Sequence, residues 1–89
     1  MKTNKDYILR KFAGEVILVP SGEASRVFNS LITLNIPMTF IWEHIDECKD
    51  EEELVAKVLD AFEVDEETAR KDVYGFLKEA RMVGMVVDE

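Results

Sequence analysis

The residues of this chain that are suited to catalysis or metal binding are few. His44 is the only histidine and Cys48 the only cysteine, and they stand four positions apart, the spacing of two ligands on one helix face. Two soft ligands are too few for a closed zinc site. Ser21, Ser25 and Ser30 lie in no nucleophile motif, and the chain has no glycine-rich phosphate loop. The sequence therefore predicts no metal, no cofactor and no enzymatic activity.

The charge of the chain is acidic and unevenly distributed. Its 89 residues hold 11 Lys and Arg against 19 Asp and Glu, a net charge of −8. The stretch 46–72 alone has twelve acids and four bases, including the runs Asp50–Glu53 and Asp65–Glu67, and such runs favour the first turns of helices. Affinity for nucleic acids depends on basic side chains that neutralise phosphates, and an acidic domain has few of them to spare. We therefore expect no nucleic-acid partner.

Length and hydropathy exclude several classes of protein. We expect one domain, residues 1–89, whose core is too small to enclose a deep cleft. The longest apolar run, Val16–Pro20, is far too short to cross a membrane, and Met1–Arg10 lacks the apolar core of a signal peptide. One cysteine forms no intrachain disulfide. These features predict a cytoplasmic binding module with no membrane contact.

The first third of the chain has the pattern of short strands. Tyr7–Phe12 and Glu15–Val19 flank Ala13-Gly14, a turn signal, and together they predict a hairpin. Gly22–Asn29 is predicted to be a loop, and Leu31–Leu34 a third strand. Three short strands leave two open edges, so at least one edge is available to another chain.

From Asn35 onward the pattern changes to that of helices. The apolar residues of the first helix recur at helical spacing; they are Met38, Ile41, Trp42 and Ile45. A second helix is predicted to start at Asp50 and a third after Asp65, with Gly84 ending the third and an extended tail following it. The order predicts an α+β, winged-helix-like domain with three N-terminal β-strands followed by three α-helices.

A winged helix that binds DNA is the first alternative. Its recognition helix would be Asp65–Val83, in which the bases do not outnumber the acids. Helices that enter the major groove usually carry a basic excess, so the sequence does not favour this function.

Short segments in a fixed order resemble a known family. They are Tyr7–Arg10, Ala13–Glu15, Ile17–Pro20, Phe28-Asn29, Ile32–Asn35 and Ile41-Trp42. In this order they are similar to the PqqD family, named for the pyrroloquinoline quinone biosynthesis protein D. The resemblance extends over nearly the whole chain.

This resemblance implies a function that composition alone does not. PqqD-like proteins are non-catalytic winged-helix domains that bind the leader of a ribosomally made precursor peptide. They present it to a modifying enzyme, often a radical S-adenosylmethionine (SAM) enzyme. The leader is added as an extra strand beside the third strand and over the third helix. A protein-only adaptor remains an alternative, and an open strand edge allows a weak homodimer as well as a monomer.

The site implied by the resemblance lies between the third strand and the third helix. Its residues are Leu31, Ile32, Thr33, Leu34, Asn35, Arg70, Val73, Phe76, Leu77 and Arg81. Val73, Phe76 and Leu77 would either floor pockets for alternate leader side chains or belong to the core. Arg70 and Arg81 would either flank the groove and pair with acidic leader residues or be solvated helix charges.

Overall fold

The strands form two antiparallel sheets in the computed structural model, which describes residues 1–27 and 30–88. They are β1 (Lys2–Thr3), β2 (Tyr7–Phe12), β3 (Glu15–Pro20), β4 (Ile32–Leu34) and β5 (Val86–Val87). The larger sheet has the order β2–β3–β4, and β1 pairs with β5 in the smaller one. β4 is therefore an edge strand of the larger sheet.

The turn between β2 and β3 has a left-handed backbone at both of its residues. The φ angle is 52° at Ala13 and 81° at Gly14, and two positive φ values in a two-residue turn match the twist of the flanking strands. Glycine adopts this conformation without steric cost, whereas alanine does not. The strands pair from Tyr7↔Pro20 to Phe12↔Glu15, which confirms the predicted hairpin.

Three longer helices follow the larger sheet. They are α2 (Ile36–His44), α3 (Glu51–Ala61) and α4 (Glu66–Met82), with a 3₁₀ turn at Ile45–Glu47, and a short helix, α1 (Ala24–Val27), lies between β3 and β4. Asn35, Asp50 and Asp65 precede α2, α3 and α4, and each side chain accepts a hydrogen bond from the amide three residues further on, at 2.9, 3.0 and 2.7 Å. These N-caps satisfy otherwise unpaired amides and confirm the predicted starts of the three helices.

The core lies where the larger sheet meets α2, α3 and α4. Its largest fully buried side chains are Leu18, Ile41, Ile45, Leu54, Val58, Val73 and Leu77. They come from β3, from α2 and the 3₁₀ turn, and from both later helices. Strands at the front and helices behind confirm the predicted α+β class, and the arrangement is winged-helix-like.

Several predicted boundaries were wrong. Residues 22–27 are not all loop, because α1 lies among them, while Phe28 and Asn29 lie outside the described residues. Leu31 precedes β4 instead of starting it, and Ile45 falls in the 3₁₀ turn after α2. The apolar pattern also predicts Phe62 on the face of the second helix, but Phe62 lies just after α3, where its ring packs edge-on against Phe40 with the centroids 5.2 Å apart.

The smaller sheet was not predicted. Its register, Thr3↔Val86 and Lys2↔Val87, joins the two ends of the chain. Asp46 supports β1 by accepting hydrogen bonds from the backbone amide and the hydroxyl of Thr3, both at 2.8 Å. Of the helices in the part of the chain described, none is long and apolar enough to cross a membrane.

Candidate functional site

One edge of the larger sheet is open at β4. β3 pairs with β4 in the register Leu18↔Ile32 to Val16↔Leu34, and no other described strand pairs with the opposite side of β4. The side chains alternate, with Ile32 half-buried, Thr33 exposed and Leu34 buried. Every second N–H and C=O of an edge strand faces away from the sheet, so β4 offers backbone hydrogen bonds to a further strand.

A groove lies between this edge and α4. At its narrower end a cavity of about 160 Å³ lies between Ile32 of β4 and the C-terminal half of α4. We call this cavity the apolar subsite; its lining residues are Ile32, Met38, Phe76, Glu79, Ala80, Val83 and Met85. Six of these seven side chains are hydrocarbon or thioether groups, so the subsite suits an apolar side chain.

A second cavity continues the groove toward the start of α4. We call it the mixed subsite; it has a volume of about 380 Å³ and is lined by Asn35, Pro37, Met38, Ile41, Lys71, Asp72, Gly75, Phe76 and Glu79. Met38, Phe76 and Glu79 line both cavities, and the two subsites together form what we call the α4 groove. None of its charged side chains, Lys71, Asp72 and Glu79, forms an ion pair within residues 1–27 and 30–88.

Hydrogen bonds fix the C-terminal end of α4 beside the larger sheet. The Tyr7 hydroxyl donates to the carbonyl of Val83 at 2.7 Å, and burial raises the pKa of this phenol. The amide of Met85 donates to the carbonyl of Ala80 at 2.8 Å, and Gly84 between them has a φ of 79° that glycine adopts readily. Val83, in the wall of the apolar subsite, is therefore tied to β2 of the larger sheet.

The predicted site residues on β4 and α4 differ in their burial and in whether they line the groove. Ile32, Asn35 and Phe76 line the α4 groove. Val73 and Leu77 are fully buried, so they support α4 from beneath and contribute no surface to the groove. Leu31 is 62% exposed immediately before β4, Thr33 points to solvent, and Leu34 is buried in the sheet's inner face.

The structure does not bring Arg70 and Arg81 to the groove. Arg70 pairs with Glu52 of α3 and with Glu66, and hydrogen bonds to these two carboxylates raise the pKa of its guanidinium. Arg81 lies 3.3 Å from Glu51 and 3.1 Å from Asp88. On an ideal helix both arginines lie about 120–140° around the axis from Phe76, so they face α3.

The lone histidine and cysteine do not form a ligand set. Nδ1 of His44 lies 3.0 Å from a carboxylate oxygen of Glu47. Cys48 is buried, and this burial raises the pKa of its thiol. Within the described ranges, no three His, Cys, Asp or Glu residues are grouped so that they could hold a metal ion.

Sequence reasoning missed several residues of the groove. Met38 was assigned to a helix face, but it lies where α2 meets both subsites. Gly75 gave the clearest unused signal, because a glycine inside a predicted helix is unfavourable. Glu79 and Val83 gave no signal, since their position depends on how α4 is placed against β4.

An open edge strand facing one wall of a groove is an arrangement that suits the binding of an extended peptide. The sequence profile of the family described as Coenzyme PQQ synthesis protein D (PqqD) matches residues 15–86. This chain therefore belongs to the PqqD family, as its sequence indicates. No curated protein matches the chain by sequence.

One solved structure is similar in fold over its full length. It is described as TbiB1 in complex with the TbiA(beta) leader peptide. The TM-score is 0.74 at 22% sequence identity, and the match covers 99% of this chain and 100% of TbiB1. At this identity the likeness establishes a common fold.

Proposed function

We propose that this protein binds the leader segment of a ribosomally made precursor peptide as an added strand on β4 and presents it to a modifying enzyme. The observation that carries the proposal is the open β4 edge facing the α4 groove. Membership of the PqqD family and the peptide in the TbiB1 complex agree with it. The protein itself supplies no catalytic group, and any cofactor belongs to the enzyme.

Strand addition combines two kinds of contact. Backbone hydrogen bonds to an open edge give affinity for any extended peptide, and pockets for alternate side chains give specificity. β4 offers the first, and the α4 groove offers the second within reach of the same peptide. A leader lying on β4 would turn every second side chain toward Phe76 and the others toward solvent.

The other edge of the larger sheet is less suited to this function. β2 carries Arg10 and Lys11 as exposed side chains, and charged residues on an edge strand oppose pairing with another chain. β4 has no charged residue among Ile32–Leu34. The contrast favours β4 as the docking strand.

An amide NMR titration tests the proposal. The ¹⁵N-labelled protein is titrated with synthetic peptides that match the small open reading frames beside its gene, and a scrambled peptide is the control. We expect shift changes at Leu31–Asn35 and along the α4 residues of the groove, and none at Arg70 or Glu52. Changes concentrated on β2, or none with any neighbouring peptide, would contradict the proposal.

Two variants with the same substitution distinguish the edges. Ile32→Glu places a charge at the apolar subsite on β4, whereas Ile8→Glu places one on β2, where Ile8 is already 38% exposed. We expect Ile32→Glu to lose leader binding and Ile8→Glu to bind like wild type, with both folded by circular dichroism. If Ile32→Glu bound the leader as tightly as Ile8→Glu and wild type, the leader would not bind at β4.

The proposal also specifies the class of the modifying enzyme. A radical SAM enzyme is the class that the family resemblance implies, and the acidic stretch 46–72 is available to contact it. With purified components, we expect the protein to raise the rate at which the full-length precursor is modified. The rate for a precursor without its leader should not change. Equal acceleration of both substrates would exclude presentation through the leader.

A further inference from the structure

Gly75 is placed in the middle of α4, where glycine is unfavourable. It has no positive φ angle, so the helix does not require the conformational freedom of glycine, and its flexibility destabilises the folded state relative to alanine. A Cβ built at this position would meet no atom of the described residues within 4 Å. Neither backbone conformation nor packing within this part of the chain explains the glycine.

Gly75 lies on the surface of the α4 groove. Gly75 lines the mixed subsite, which at about 380 Å³ is more than twice as large as the apolar subsite at about 160 Å³. A Cβ at position 75 would therefore project into open space at this subsite. The missing side chain thus leaves the wider part of the groove unobstructed.

The spacing of the two subsites matches the repeat of an extended peptide. The α4 residues that line the apolar subsite lie on average about four positions beyond those that line the mixed subsite, or about 6 Å at 1.5 Å per residue. Side chains on one face of a strand recur every second residue, about 6.6–6.8 Å apart. An added strand that runs along α4 would therefore bring two side chains, two positions apart, close to the two subsites.

We propose that Gly75 is a specificity-determining residue that lets the leader carry a large side chain two positions from the residue in the apolar subsite. This inference rests on the proposed function and deepens it. Asn35, Lys71 and Glu79 line the mixed subsite and supply hydrogen-bonding groups, so the favoured side chain is large with a polar tip. A side chain at position 75 would fill this space and restrict the leader to a small residue there.

A selection experiment tests the assignment. Wild type, Gly75→Leu and the control Lys78→Leu are each used to select binders from a phage-displayed library of random peptides. Lys78 is exposed on α4 and does not line the groove, so its replacement adds the same side chain outside the site. We expect wild type and Lys78→Leu to select an apolar residue and, two positions away, a large one. Gly75→Leu should select Gly, Ala or Ser at the second position.

Affinities give the matching quantitative result. The peptide selected by wild type should bind Gly75→Leu at least about tenfold more weakly, the scale on which a pocket discriminates side-chain size, and should bind Lys78→Leu equally well. Peptides with the same preference in all three proteins would overturn the role of Gly75 and leave the proposed function intact. Failure of every protein to select a peptide would overturn both.

Discussion

Proline substitution in β4 separates the edge that binds the leader from the edge that pairs with β3. Along a strand, successive N–H groups point to opposite sides, so either Ile32 or Thr33 directs its N–H toward the free edge and the other directs it toward β3. Proline removes the N–H and restricts the preceding residue to extended conformations, which a strand already has. The two variants Ile32→Pro and Thr33→Pro should therefore fail in different ways.

The expected magnitudes follow from one hydrogen bond in each case. Proline at the outward position removes one bond to the leader and leaves a leader carbonyl without a donor, which costs about 2 kcal/mol of binding free energy. That loss corresponds to roughly 30-fold weaker binding at 1.4 kcal/mol per tenfold. Proline at the inward position breaks a bond of the ladder to β3, so the loss appears in the free energy of unfolding.

Denaturant titration and isothermal calorimetry with the leader peptide measure the two quantities separately. Ile32→Ala and Thr33→Ala are the controls, because they remove the side chains and keep both amides. We expect one proline variant to keep its stability and lose affinity, and the other to lose stability. If both variants stay folded and bind like their alanine controls, the leader does not pair with β4.

Three further predictions concern stability. Partial burial alone would raise the pKa of Asp46, but hydrogen bonds from Lys5 and from the β1 backbone outweigh it and hold that pKa at about 2, below the ordinary 3.8. Asp46→Asn should therefore lower the unfolding free energy at neutral pH by about 1 kcal/mol, a value discounted for solvent screening because the carboxylate is 36% exposed. In urea titrations the difference in unfolding free energy from wild type should vanish as the pH falls from about 4 to 2. A difference that stays constant with pH would refute the assignment. Gly75→Ala should raise the unfolding free energy by about 0.5–1 kcal/mol, and a decrease would show that something packs against this position. Trp42→Ala should cost about 3–5 kcal/mol because the indole is only 8% exposed, and a loss below 1 kcal/mol would mean that Trp42 contributes little to the core.

Features that depend on neighbouring residues were predictable from the sequence. The N-cap of α4 at Asp65 and the hairpin turn at Ala13 follow from side chains and backbone preferences within a few positions. Pairing of β1 with β5 was not predictable, because Thr3 and Val86 are far apart in sequence and each strand has only two residues. A strand that short gives no periodic pattern.

The position of a candidate site residue was predictable only where the element packed against it was known. The resemblance placed β4 against α4, and Ile32 does line the resulting groove. The resemblance also implied that Arg70 flanks this groove, but the sequence does not show which element lies on that side of the helix. In the structure it is α3, whose Glu52 accepts a hydrogen bond from Arg70.

The packing around α4 also determines which substitutions can report on binding. Phe76 is 7% exposed and lines both subsites, so truncating it removes core packing and groove surface together. Loss of leader binding in Phe76→Ala would therefore not distinguish a damaged fold from a damaged site. Gly75 is different, because it lines the groove and a Cβ added there comes within 4 Å of no described residue beyond its own stretch of helix. A change of peptide preference at Gly75, with the fold unchanged, is direct information about what α4 contacts.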